Sequence, residues 1–240
     1  MSDVVTFERK DHVALITLNR PEARNAISPE MLVRLADTWT AVRDDPDIRV
    51  AVVTGAGDKA FCSGADLGRF IPLMSRARPP EDEWDRRLLA DGEMLGRGLL
   101  RTFDVVKPVI AAINGHAIAG GMELAQGTDL RVASESAKFG VQEVKWAIFP
   151  GGGSTVRLPR QIPYARAMEL LLTGDLITAA EALELGFLNR VVSQAAVLPT
   201  ALDLAERIAA NGPIAVQAIR RSARACLGRP EAEAMQIESE

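Results

Sequence analysis

The chain contains only two cysteines, Cys62 and Cys226, far apart in sequence. A disulfide framework and a cysteine-rich zinc site are both excluded, and a reducing, cytoplasmic setting is the default. Histidine is equally scarce. His12 and His116 are the only two, so a multi-histidine metal site is excluded and no metal is expected. His12 falls in an alternating apolar run that reads as a strand, and His116 reads as a loop residue near a turn. No apolar run reaches the roughly 18 residues of a membrane span. The N-terminus, Met1-Ser2-Asp3-Val4, lacks the basic and apolar segments of a secretory leader. A basic excess is missing too. The 28 Lys and Arg stand against 32 Asp and Glu, giving a net charge of −4, and no nucleic-acid partner is expected. Repeats, a Gly-Lys phosphate loop, a complete dinucleotide fingerprint and a G-x-S-x-G elbow are all absent.

What is present is an ordinary globular composition. In 240 residues, 48% are hydrophobic and 25% charged, enough to bury one large core without staples. Strand-like and helix-like segments alternate, which predicts an α/β architecture. Val4–Glu8 and Val13–Asn19 read as a strand pair. Ser28-Pro29-Glu30 is a helix start, with serine as cap and proline at the first helical position. Leu32, Leu35, Ala36, Trp39 and Val42 then share one helical face. Val50–Thr54 and Val109–Ile113 are short continuous apolar runs of the kind that form buried strands. The stretch from Phe70 to Asp85, with Pro72, Pro79 and Pro80, reads as a mobile loop over a site rather than core. A helix to about Phe103 follows it. The C-terminal half reads as mostly helical.

Three glycine-rich turns beside these strands carry the polar groups that suggest chemistry. They are Phe61–Leu67, Asn114–Glu123, and Glu143 with Pro150–Thr155. Glycine lets backbone approach a ligand closely. A helix starting near Gly121 would offer free N–H groups and a positive dipole end. Two N–H groups from different turns can hold a developing oxyanion, each typically worth about 100- to 1,000-fold in rate. Glu123 is an acid in an apolar stretch, consistent with a catalytic carboxylate of raised pKa or with an acid favouring the helix dipole. Glu143 reads equally as a catalytic acid or a surface acid on a half-buried strand. The Gly151–Gly153 run reads as a ligand turn or simply as a turn before a helix. Residue patterns alone reach a soluble α/β protein with an anion-stabilising site.

Taken in order, the motifs resemble the enoyl-CoA hydratase/isomerase, or crotonase, family. They are Leu15–Ala26, Val52–Gly57 with Phe61–Leu67, Lys107–Gly115 with Gly120–Ala125, Leu172–Asp175, and Ala180–Ala182 with Leu185-Gly186. The resemblance implies a crotonase-like spiral of repeated β-β-α units over residues 1–195. It also implies a helical C-terminal region, 196–240, shorter than the family's usual one and used in contacts of a homotrimer or a dimer of trimers. The implied substrate is an acyl-CoA thioester, with coenzyme A belonging to the substrate and no separate cofactor. Its carbonyl would lie between the N–H groups of Ala65 and Gly120. The loop Ser63, Gly64, Asp66 and Leu67 would touch the adenine part. Arg24 and Ala26 would line the pantetheine and phosphate path, and Ile118, Trp146, Pro150 and Gly151 would also line the substrate path. Glu123 would act on water and Glu143 on the α-proton, as in the family's hydratases.

This chain departs from the family pattern in places. Gln142 stands where a proline usually precedes the second glutamate, Trp146-Ala147 replaces a Leu-Gly pair, and Ala119 breaks a glycine triplet. Trp146 and the 70–85 stretch would reshape the acyl pocket. Isomerases often need one carboxylate, so two glutamates favour a hydratase. The segment Arg157–Pro163 resembles carnitine-type dehydratases and racemases, which stay as the alternative. A non-catalytic RNA-binding relative would need Arg220, Arg221 and Arg224 clustered on an exposed face.

Overall fold

The computed structural model of the protein describes residues 3–239; Met1, Ser2 and Glu240, at the ends of the two expected regions, lie outside the described residues. The chain opens with a hairpin, β1 (Val5–Lys10) and β2 (Val13–Leu18), followed by α1 (Pro29–Asp44) and β3 (Val50–Gly55). The short β4 (Ala60–Cys62) leads into three helices, α2 (Phe70–Met74), α3 (Glu83–Ala90) and α4 (Met94–Gly98). Then come β5 (Val109–Ile113), β6 (His116–Ile118) and α5 (Gly120–Gly127). β7 (Leu130–Ser134), β8 (Lys138–Gly140), α6 (Ser154–Gln161) and α7 (Tyr164–Thr173) follow. β9 (Ile177–Thr178), α8 (Ala179–Glu184), β10 (Arg190–Val192), α9 (Val197–Ala209), α10 (Pro213–Cys226) and α11 (Glu231–Glu238) complete the described chain.

The strands form two sheets, in the orders β1-β2-β3-β5-β7-β10 and β4-β6-β8-β9. Successive strands alternate between them. β3, β5 and β7 lie in the large sheet, and the strand following each, β4, β6 or β8, lies in the small one. This stepwise β-β-α winding is the spiral expected from the sequence. From β2 onward the large sheet is parallel, and a parallel sheet is covered on both faces. β3 shows why its sequence is apolar throughout. Ala51 and Val53 enter the main core, shared with α1, while Val50 and Val52 enter a second cluster with Val197, Ala201 and Ala205 of α9. α9, the first helix of the C-terminal region, thus covers the outer face of the sheet.

α1 forms as its start signal requires. The Ser28 hydroxyl accepts the Met31 N–H at 3.1 Å, and Leu32, Leu35, Ala36, Trp39 and Val42 are buried. Thr178 caps α8 reciprocally with Glu181.

Two sequence expectations need correction. The 70–85 stretch is not simply a loop. Phe70 and Leu73 of α2 are buried, and Asp85 is fully buried against a bidentate Arg78. Apolar residues spaced around the proline at 72 were enough to build a short helix there. His12 is in the turn between β1 and β2, where its Nδ1 lies 2.7 Å from the Asp47 carbonyl oxygen. The Arg220 guanidinium is buried against Asp104 and Asp129, and Arg224 also pairs with Asp104. These arginines fasten α10 to the core rather than forming a basic stripe.

Candidate active site

Two loops from neighbouring strands of the small sheet meet at the site. After β4, Ile27 and Ala65 form a parallel bridge. The Ile27 N–H donates to the Gly64 carbonyl at 2.8 Å, and the Asp66 N–H to the Ile27 carbonyl at 3.0 Å. After β6 the chain turns sharply at Ala119, whose φ of 52° is left-handed, and enters α5 at Gly120. A non-glycine residue there stores strain of about 1–3 kcal/mol, a feature that clusters at functional turns. Gly64, at φ 94°, makes the close approach possible, since a Cβ on it would fall 2.7 Å from the Ala119 Cβ and 3.3 Å from the Gly120 nitrogen. The N–H groups of Ala65 and Gly120 have no acceptor among the described residues. Two free donors on adjoining turns, one of them at a helix N-terminus, are chemically suited to hold an anion.

Glu123 lies in the first turn of α5 and is buried. Its Oε1 accepts the Ser154 N–H at 3.2 Å, so the carboxylate faces the N-terminus of α6. Burial raises its pKa, and the Ser154, Gly152 and Gly153 N–H groups partly offset that rise. The glycine run therefore does more than turn the chain. Glu143 begins a 3-10 turn, Glu143–Trp146, rather than lying on a strand. Its Oε2 is buried without a hydrogen-bond partner among the described residues. Burial, and then the charge of Glu123, push its pKa up to about 7. Two carboxylates thus face one space, and burial disfavours the charged form of each.

That space is a cavity of about 730 Å³. Arg24, Ala26, Ser63, Ala65, Asp66, Leu67, Ile118, Gly120, Glu123, Glu143, Trp146 and Gly151 all line it. Gly64 and Pro150 do not; Gly64 lies behind the two donors and Pro150 beside the wall. Asp66 is a lining residue whose carboxylate is already engaged, by Arg20 at 3.0 Å and by the N–H groups of Gly68 and Arg69. Its role is to hold the loop.

Other residues line the cavity as well, some of them from the 70–85 stretch expected over the site. Phe70, Ile71 and Met74 of α2 and Leu95 and Leu99 form an apolar wall, with Ile148, Phe149 and Gly152 nearby. Asn25 is buried at φ 54°; its amide donates to the carbonyls of Ala56 and Ala60 and accepts the Arg20 N–H, fixing the Arg24–Ala26 turn. His116 is exposed, and its Nδ1 accepts the Lys138 N–H.

The family profile described as enoyl-CoA hydratase/isomerase matches residues 8–240. The chain belongs to this family. It is 49% identical over 233 residues to the enoyl-CoA hydratase EchA19 of Mycobacterium tuberculosis, covering 97% of this chain and 85% of that protein. It is 47% identical to the (E)-benzylidenesuccinyl-CoA hydratase of Thauera aromatica, covering 91% and 81%. The crystal structure of an enoyl-CoA hydratase from Bacillus anthracis superposes with a TM-score of 0.87 at 38% identity, covering 98% of this chain and 88% of that one. The crotonase fold, the enzyme class and the hydratase reading of the sequence all stand. No helix of the described chain is long and apolar enough to cross a membrane.

Proposed function

We propose that the protein is an enoyl-CoA hydratase in which Ala65 and Gly120 form the oxyanion hole and Glu123 and Glu143 carry out the proton transfers. The observation that carries this reading is the pair of carboxylates of raised pKa beside two unpaired N–H donors. The thioester oxygen accepts the two N–H groups, which draws electrons from the double bond. Glu123 removes a proton from water as the oxygen bonds to the β-carbon. The charge collects on the thioester oxygen, where fixed donors stabilise it. Glu143 then delivers its proton to the α-carbon. Dehydration is the same path reversed.

Arg24, beside the Ser63 turn, supplies the charge for a coenzyme A phosphate. The reading needs no cofactor beyond the coenzyme A of the substrate, and the scarcity of cysteine supports a cytoplasmic setting. The expected assembly is a homotrimer or a dimer of trimers through the C-terminal helices. α10 and α11 expose Ile214, Ile219 and Met235, a surface suited to such contacts.

The test is loss of conjugated-thioester absorbance with crotonyl-CoA, for wild type and Glu143→Gln. Hydration by wild type that falls about 100- to 10,000-fold in the variant is expected. A double-bond shift without water addition, or a variant as fast as wild type, would overturn the two-carboxylate reading.

A further inference from the structure

The acyl end of the cavity is built unlike the coenzyme A end. Its lining holds one basic residue among those described, Arg24, on the turn beside Ser63. The opposite wall is apolar, formed by Phe70, Ile71 and Met74 of α2 with Leu95 and Leu99. Two aromatic side chains, Trp146 and Phe149, 64% and 73% exposed, also line the cavity. Large aromatics left this open while lining a cavity are free to meet a ligand.

Chain geometry places both beside the reacting carbons. Trp146 closes the 3-10 turn that Glu143 opens. In such a helix residues three apart eclipse one another, so Trp146 continues the wall that carries the Glu143 carboxyl. Phe149 is three residues before Gly152, whose backbone abuts Glu123. The aromatic pair is therefore tethered at one end to each carboxylate. A substituent on the β-carbon, where water adds, is the group it would meet.

Charge narrows the class further. A carboxylate on the acyl group would lie near Glu123 and Glu143 with no cation lining the cavity at that end, a costly placement. Arg157, the half-buried cation that feels the Glu123 charge, lies outside the lining and donates to the Leu100 and Arg101 carbonyls. An unbranched chain would leave the broad aromatic surface poorly filled. We infer that the enzyme acts on 2-enoyl thioesters whose β-carbon bears an uncharged ring, and that Trp146 and Phe149 are its specificity-determining residues. This rests on the hydratase reading above and goes beyond it in naming the acyl class.

The experiment runs the reaction as dehydration, because conjugation with an aryl ring pulls the equilibrium that way. 3-Hydroxy-3-phenylpropionyl-CoA is compared with 3-hydroxybutyryl-CoA by the gain of enoyl-thioester absorbance. The expected result is a kcat/KM at least about tenfold higher for the phenyl substrate, the scale on which an apolar pocket discriminates. Trp146→Ala and Phe149→Ala are each expected to lower the phenyl rate about tenfold more than the butyryl rate, with Trp146→Phe restoring much of the difference. A preference for 3-hydroxybutyryl-CoA, or equal losses on both substrates, would overturn the inference and leave the hydratase reading intact. So would a higher rate with an acyl group bearing a carboxylate or a trimethylammonium. Failure to dehydrate any of these thioesters would instead count against the hydratase reading itself.

Discussion

Gly152 stands against the Glu123 carboxyl: a Cβ on Gly152 would lie 2.6 Å from the Glu123 Cδ and 2.8 Å from Leu99 Cδ1. The Glu123 carboxyl and the backbone that hydrogen-bonds it are packed with no room for a methyl group. Gly152→Ala must displace the carboxyl or the turn. A misplacement of about 1 Å costs roughly 100-fold in rate, so kcat for crotonyl-CoA hydration is expected to fall by about that factor. A melting curve close to wild type would show that the loss is one of geometry.

The charges of the two carboxylates are coupled. Burial and the Glu123 charge bring Glu143 up to about 7, and burial raises Glu123 as well. Hydration needs Glu123 ionised and Glu143 protonated, and dehydration needs the converse. Both are the singly protonated pair, so kcat/KM is expected to be bell-shaped in both directions, with the alkaline limb near pH 7. Glu143→Gln should abolish that limb in the residual rate. A limb unchanged in the variant would assign it to another group.

The same shift bears on stability. A carboxyl whose pKa is raised from 4.5 to about 7 by folding favours the folded state below the lower value, and that contribution is lost as pH rises through the higher one. Glu143→Gln removes the cost of ionising a buried group. Urea unfolding at pH 8 should show the variant more stable than wild type by about 2 kcal/mol, allowing for partial exposure, and the gap should close at pH 4.

Arg131 serves the site from the far end of α5. Its buried guanidinium donates to the carbonyls of Ala125, Phe187 and Thr128 at 2.7, 2.9 and 3.1 Å. It thus caps the C-terminus of the helix whose N-terminus forms the anion hole. Arg131→Ala takes the donor from the Phe187 and Thr128 carbonyls, while Ala125 keeps the Thr128 N–H and hydroxyl, and is expected to cost about 2–4 kcal/mol in urea unfolding. A cost below about 1 kcal/mol would mean water takes over the cap.

Arg24 is the cavity's one basic lining residue among those described. If it binds a coenzyme A phosphate, Arg24→Ala should raise KM about tenfold and leave kcat unaltered, because the interaction is the same in ground and transition states. A crotonyl-pantetheine thioester, which carries no phosphate, should not distinguish the two proteins.

Much of this protein was legible before folding. Short-range rules fixed the starts of α1 and α8, and the continuous apolar runs marked β3 and β5 as strands buried on both faces. The order of the glycine turns identified the family and, with it, the two glutamates. Those signals are local, resting on caps, periods and close backbone approaches that only glycine permits. The pairing of Ala65 with Gly120 was available only through family resemblance, because the two turns lie on neighbouring strands whose adjacency a linear pattern does not encode. The raised pKa of Glu143 is likewise a tertiary property, since burial and the Glu123 charge come from segments 20 residues apart that the fold brings together. The helix α2 reads as loop in the sequence for the same reason. A proline-containing polar stretch looks like loop, and only packing shows that Phe70, Ile71 and Met74 line the cavity while Leu73 enters the core.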